Sequence, residues 1–233
     1  MNIVRFIPNT LTSMNLISGC VASTMALQGN LFWAMMWIII ASVFDFSDGL
    51  AARLLKAYSP LGKELDSLAD VVSFGVAPGM ILYTMLGEWT VAAGLEGGFS
   101  YLPYLAFVVP AFSGLRLAKF NIDERQTTTF IGLPVPAHAL LWASACYSLH
   151  ALVGTGESWV AVALIAAFCL TSYLLVSEIP MFSLKAKSLG WRGNELQYIL
   201  VICSVGFIAC FGFLGISGAI VLYIVLSMFR AWR

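Results

Sequence analysis

Charge is scarce in this sequence. Lys and Arg number 12 of 233 residues and Asp and Glu another 12, so 10% of the chain is charged while 60% is hydrophobic, with a mean hydropathy of +0.90. That composition belongs to a polytopic membrane protein and gives no reason to expect a nucleic-acid partner. Histidine is nearly absent: His138 and His150 read as core or interfacial residues before they read as catalysts. The five cysteines, Cys20, Cys146, Cys169, Cys203 and Cys210, all lie in apolar stretches. An odd count with no Cys-x-x-Cys pair argues against a disulfide framework or a zinc site and leaves them as small hydrophobes. No polar stretch is long enough for a separate soluble domain, so residues 1–233 are expected to form one integral-membrane domain. The amino terminus carries a single basic residue, Arg5, and is broken by Pro8-Asn9 before the apolar run, which is unlike a cleaved signal peptide.

What is abundant is apolar sequence of helix-spanning length. Spans are expected at Leu11–Leu27, Leu31 to about Leu55, Lys63 to Leu86, Tyr101–Lys119, Leu133–Leu152 and Ser158–Val176. Leu196 to Phe229 is too long for one span and barely enough for two, with Gly212 and Gly215 as the natural turn. Pro78, between Gly75 and Gly79, is expected to kink the third span. The fold is therefore predicted to be all-α, a transmembrane bundle of about eight helices.

Alternating eight spans from a cytoplasmic amino terminus sorts the charges. All 12 basic residues fall on the cytoplasmic side: Arg5, Arg53, Lys56, Lys63, Arg116, Lys119, Arg125, Lys185, Lys187, Arg192, Arg230 and Arg233. The opposite side receives Glu88, Glu96 and Glu157. This segregation predicts that both termini are cytoplasmic and that the chain resides in the cytoplasmic (inner) membrane. Lys185, Lys187 and Arg192 suit anionic headgroups, and Trp89, Trp159 and Trp191 suit an interfacial belt.

Four acids break this pattern. Asp45, Asp48, Gly49, Ala52 and Arg53 fall within an arc of about 140° on a helix, so two carboxylates, two small residues and a guanidinium share one face. After an interruption at Ser59-Pro60 and Gly62, Asp66 and Asp70 lie one turn apart on the next helix. A helical hairpin would bring the four carboxylates together near its tip, about 21 Å along the second span from Leu31, in the cytoplasmic third of the bilayer. Acids so placed mark a functional site, the plainer alternative being buried ion pairs that hold helices together. Their mutual repulsion is relieved by one or two divalent cations, and an all-oxygen donor set suits Mg²⁺ or Mn²⁺. Gly49, Ala52 and Gly62 leave room for a ligand, and Arg53 offers a fork of donors to phosphate. Asn9 and Thr12 either start a helix or face the site.

The string Asp-x2-Asp-Gly-x2-Ala-Arg-x8-Gly-x3-Asp-x3-Asp, residues 45–70, resembles the signature of the CDP-alcohol phosphotransferases at every fixed position. Phe44 to Tyr83, Ile7-Pro-Asn-Thr-Leu-Thr12, Gly114 to Asn121 and Phe130 to Pro136 further resemble the bacterial and archaeal membrane-type phosphatidylserine synthases. The resemblance implies transfer of a phosphatidyl group from CDP-diacylglycerol to the hydroxyl of L-serine, with release of CMP. It implies two Mg²⁺ or Mn²⁺ ions held by Asp45, Asp48 and Asp66 with Asp70 sharing one, and Asp70 as general base. It also implies a homodimer among membrane lipids, with the site open to the cytosol. Arg116 and Lys119, three apart on one face, either hold the serine carboxylate or anchor to lipid phosphates; Lys119 stands where many relatives have Arg. The rival acceptors are glycerol phosphate and inositol phosphate, and the rival class is a divalent-cation transporter. The transporter is disfavoured because the acids lie off the bilayer midplane and have no counterpart later in the chain.

Overall fold

The computed structural model describes residues 6–95, 97, 101–123, 130–182 and 194–231. Arg5, Glu96, Arg125, Lys185, Lys187, Trp191, Arg192 and Arg233, and the side chain of Arg230, lie outside what is described. The chain forms α1 (Phe6–Leu27), α2 (Leu31–Leu54), α3 (Pro60–Asp70), a π-helical turn (Val71–Val76), α4 (Ala77–Ala92), a 3₁₀ turn (Leu102–Phe107) and α5 (Val108–Ile122). Then follow β1 (Phe130–Ile131), α6 (Val135–Val153), α7 (Ser158–Val176), β2 (Pro180–Met181), α8 (Glu195–Phe211) and α9 (Leu214–Ala231). The stretches Pro60–Ala92 and Leu102–Ile122 are each one continuous rod, so the described residues make eight helical rods, as expected from hydropathy. Five of them are long and apolar enough to cross a membrane.

α1 begins earlier than the apolar run suggests. Pro8 sits in its first turn, where a missing N–H costs no hydrogen bond. Its hydroxyl residues disturb the helix little, because Thr10, Thr12, Ser13, Ser18, Ser23 and Thr24 each donate to the carbonyl four residues earlier. No hydroxyl donor is left facing lipid. Gly29 at φ 74° reverses the chain, and Asn30 caps α2 by accepting from the Trp33 amide. α2 runs out through Lys56 at φ 49°; Ser59 then caps α3, with Pro60 in its first turn.

The third rod carries a π turn, Val71–Val76, just before Pro78, which opens the helix around the carbonyl that the proline cannot satisfy. Gly75 and Gly79 let α5 approach closely: a Cβ on Gly75 would lie 3.0 Å from Ser113 Cβ, and one on Gly79 3.0 Å from Pro110 Cδ. α4 also runs to Ala92, past Leu86 where the third span was expected to end.

The core lies where α1, α2, α4 and α6 meet, and small residues there (Ala22, Ala26, Ala34, Ala41, Ala77) allow close approach around Phe74, Ile38 and Leu82. α8 is peripheral: Leu200 is its one buried side chain, and it packs on α9 across the turn at Gly212, φ 58°. A two-residue antiparallel pair, Phe130 with Met181 and Ile131 with Pro180, clips the α5–α6 connection to the α7–α8 connection; nothing in the hydropathy pattern announced it.

Charge is sorted by end. Arg53, Lys56, Lys63 and Lys119 lie at one end, where α2 and α5 finish and α3 starts. At the other, Glu88 pairs with His150 at 2.5 Å, which accounts for that histidine. His138 is fully buried, its Nε2 3.1 Å from the Thr171 hydroxyl and accepting from Trp142. Trp159 is exposed as a belt residue should be, but Trp89 is not a belt residue: it is buried, and its indole donates to the Glu157 carbonyl, tying α4 to the start of α7.

Candidate active site

The last turns of α2 and the length of α3 carry the acids, and the reversal between them folds the two helices together. Carboxylate oxygens of Asp45, Asp48 and Asp66 come within 4.8 Å of one another. Asp48 and Asp70 are buried, while Asp45 and Asp66 are half-buried. Asp70 is not part of the tight cluster, although it stays within electrostatic reach of Asp45 and Asp66. Among the described residues no basic side chain pairs with any of the four acids, so no ion pair among them supports the alternative of a merely structural cluster. One oxygen of Asp66, Oδ1, is buried without any hydrogen-bond partner. A cluster of unpaired carboxylates in a low-dielectric setting needs a counter-charge, and hard oxygen donors at this separation suit a divalent cation.

Two residues of α1 reach into the acids. Thr12 donates to Asp48 Oδ2 at 2.6 Å, and Asn15 Nδ2 donates to Asp70 Oδ1 at 3.1 Å. Thr12, left open by the sequence between capping and the site, belongs to the site. Asn15 escaped the sequence reading altogether. The available signal was the run Asn9, Thr12, Asn15, polar residues three apart on one face of an apolar helix.

A cleft of about 230 Å³ opens above the cluster between the first turns of α1, the end of α2 and the start of α3. Asp48 and Asp66 form its floor, Gly49 and Ala52 one wall, and Arg53, Tyr58 and Lys63 its rim. Space is open where a Cβ on Gly49 would project, so that wall admits a ligand directly. Gly62 lines the cleft too, but its missing side chain also makes way for Asn9 Oδ1 and Ser59 Oγ, each 3.0 Å from where its Cβ would stand. The Lys63 ammonium donates to the Asn121 carbonyl, and the Asn121 amide donates to the Ser67 hydroxyl, which fastens the end of α5 alongside α3.

Arg116 and Lys119 do not line this cleft, and they have separate surroundings. Lys119 pairs with Glu178 and also donates to the Val176 carbonyl. Arg116 is turned into the bundle, 4% exposed. Its guanidinium lies 4.9 Å over the Phe120 ring, and its Nε has no acceptor. It is within electrostatic reach of Tyr223 on α9, a residue in the part of the chain where sequence gave no guidance.

Comparison with known proteins adds to this geometry. A family model described as CDP-alcohol phosphatidyltransferase matches residues 5–174. A CDP-diacylglycerol–serine O-phosphatidyltransferase of Bacillus subtilis is 36% identical over 177 residues, covering 76% of this chain and 89% of the relative. Enzymes of the same name from Mycobacterium bovis and Helicobacter pylori are 35% and 32% identical, covering 86% and 89% of this chain and 70% and 84% of theirs. A carboxylate cluster on the signature residues, inside a family match that spans most of a helical membrane bundle, places this chain in the CDP-alcohol phosphatidyltransferase family of transferases.

Proposed function

We propose that this protein transfers the phosphatidyl group of CDP-diacylglycerol to the hydroxyl of L-serine and releases CMP. The observation that carries the reading is the meeting of Asp45, Asp48 and Asp66 within 4.8 Å, unpaired, beneath a cleft rimmed by Arg53 and Lys63. The names of the similar enzymes support serine as the acceptor. Membership in a transferase family leaves the transporter reading without support.

Asp45, Asp48 and Asp66 would hold divalent cations, Mg²⁺ or Mn²⁺ and two in number, with Asp70 at the edge of that set. Bound there, such ions neutralise pyrophosphate charge and act as Lewis acids. The chain's own residues do the rest. Arg53 and Lys63 meet the phosphates at the rim, where charge-assisted bonds are strong. Gly49, Ala52 and Gly62 let the nucleotide lie against the backbone. Asp70 takes the proton of the attacking hydroxyl, and for that it must stand within hydrogen-bond reach of it. Phosphoryl transfer asks mainly for positioning and charge stabilisation, which this arrangement supplies.

Arg116 is the group for the serine carboxylate: a buried guanidinium with no carboxylate partner among the described residues. Lys119, three residues further along α5 and paired with Glu178, adds a second cation for the same carboxylate. The basic end faces the cytosol, both termini lie there, and the single domain works as a homodimer in the cytoplasmic membrane. Light scattering in mild detergent checks the dimer, an active monomer being the contrary result.

The test is acceptor choice. Purified protein is offered CDP-diacylglycerol with L-serine, ethanolamine, glycerol phosphate or inositol phosphate in turn, and CMP release is followed. Serine should support turnover and the others little. Equal turnover with ethanolamine, which has no carboxylate, would overturn the acceptor assignment.

A further inference from the structure

We propose that Asn15 is a positioning residue for Asp70: its amide pins one carboxylate oxygen so that the other is presented to the attacking hydroxyl. The inference rests on the reading of Asp70 as proton acceptor.

Asn15 lies midway along an apolar helix with 0% exposure. Burying an amide there is unfavourable unless it is hydrogen-bonded, yet its Oδ1 has no partner. Its Nδ2 donates to Asp70 Oδ1 at 3.1 Å, so that one bond sets the orientation of the side chain. The backbone of the same residue is also held. The Ser73 hydroxyl donates to the Asn15 carbonyl at 2.9 Å, and Gly19, one turn further along α1, lies so close to Ser73 that any Cβ would collide with it. α1 is thus locked against the π turn that begins immediately after Asp70.

Asp70 needs such a hold more than its neighbours do. A carboxylate turns broadly about its last torsion, and a base must come within about 2.6–3.2 Å of the proton it takes. Asp48 is held by Thr12, whereas Asp70 stands outside the cluster and is the last residue before the helix changes register. An amide suits the task because it donates a hydrogen bond without competing for the proton.

The test uses the full chain, purified in mild detergent, with Asn15→Leu, which keeps the volume and deletes the donor. kcat, the apparent KM for CDP-diacylglycerol and for serine, and Mn²⁺ affinity by calorimetry without substrates are measured beside Asp70→Asn. For Asn15→Leu, kcat should fall by about 10–100-fold, as loss of an orienting partner commonly costs, while both KM values and Mn²⁺ affinity stay within about twofold. An unchanged kcat, or a loss of Mn²⁺ affinity in step with rate, overturns the proposal. Should Asn15→Leu not fold, Asn15→Ala carries the same expectation. If Asp70→Asn itself loses Mn²⁺ affinity in step with rate, the proton-acceptor reading fails. If Asp70→Asn loses rate alone and Asn15→Leu keeps its kcat, only the positioning role fails.

Discussion

Replacing Arg116 by methionine should weaken serine use and leave the protein no less stable. The two effects have opposite origins. Arg116 is 4% exposed, has no carboxylate partner among the described residues, and faces the Phe120 ring at 4.9 Å. A cation–π contact recovers about 0.5–2 kcal/mol. The effective penalty of burying an ion is several kcal/mol, so an apolar residue of similar length should be neutral or better for folding. In the complex the balance reverses. A charge-assisted bond to a carboxylate contributes about 1.5–3 kcal/mol, which at about 1.4 kcal/mol per tenfold corresponds to a rise in the apparent serine KM of about ten- to a hundredfold. Arg116→Lys should recover only part of this, since a point charge replaces a fork. The assay is CMP release against serine concentration at saturating CDP-diacylglycerol, beside a thermal unfolding curve in the same detergent. An unchanged serine KM with a lowered Tm would mean that Arg116 holds helices together, and a raised KM for the CDP-lipid alone would move it to the donor.

Asp66→Ala, or excess chelator on the unaltered protein, should abolish turnover, and Mn²⁺ should restore the chelated enzyme only; activity surviving both would refute a cation at the cluster. Thr12→Val removes the 2.6 Å bond to Asp48 and should weaken Mn²⁺ binding by about tenfold, read by calorimetry. Gly49→Leu projects into the open part of the cleft and should raise the KM for CDP-diacylglycerol while leaving Tm near its original value, because no protein atom stands within 4 Å of the new Cβ. Gly75→Val should instead lower Tm by several degrees, its Cβ forced to 3.0 Å from Ser113, and an unchanged Tm would show that α5 yields easily.

Much of this molecule was legible because lipid makes local rules strict. Apolar length and glycine turns located α7 at Ser158–Val176 and the break between α8 and α9, and the spacing of Asp45, Asp48 and Asp66 set them on facing helices. What could not be read depends on partners distant in sequence. Hydropathy does not separate a side chain facing lipid from one facing a neighbouring helix, since both are apolar, so Trp89 passed for a belt residue until its bond to Glu157 placed it inside. Asn15 carries no local signal of its role, because its partner Asp70 is 55 positions away. Pro78 announced a disturbance in its helix, but not that a π turn over Val71–Val76 would precede it. The pairing of Phe130–Ile131 with Pro180–Met181 joins two connections whose residues carry no strand pattern.

The rod from Pro60 to Ala92 has 33 residues, which at 1.5 Å per residue is about 50 Å, against a hydrocarbon layer about 30 Å thick. Asp66 and Asp70 stand about 9 and 15 Å along it from Pro60, so the rod works as a ruler that sets the depth at which the reaction is carried. A lipid donor arrives by diffusing in the plane and must bring its pyrophosphate to that depth, while its tails stay below. Bilayer thickness then becomes a kinetic variable. In vesicles of longer acyl chains the rod would stand more upright and the acids would sit deeper, so membrane composition would tune turnover without any ligand touching the site.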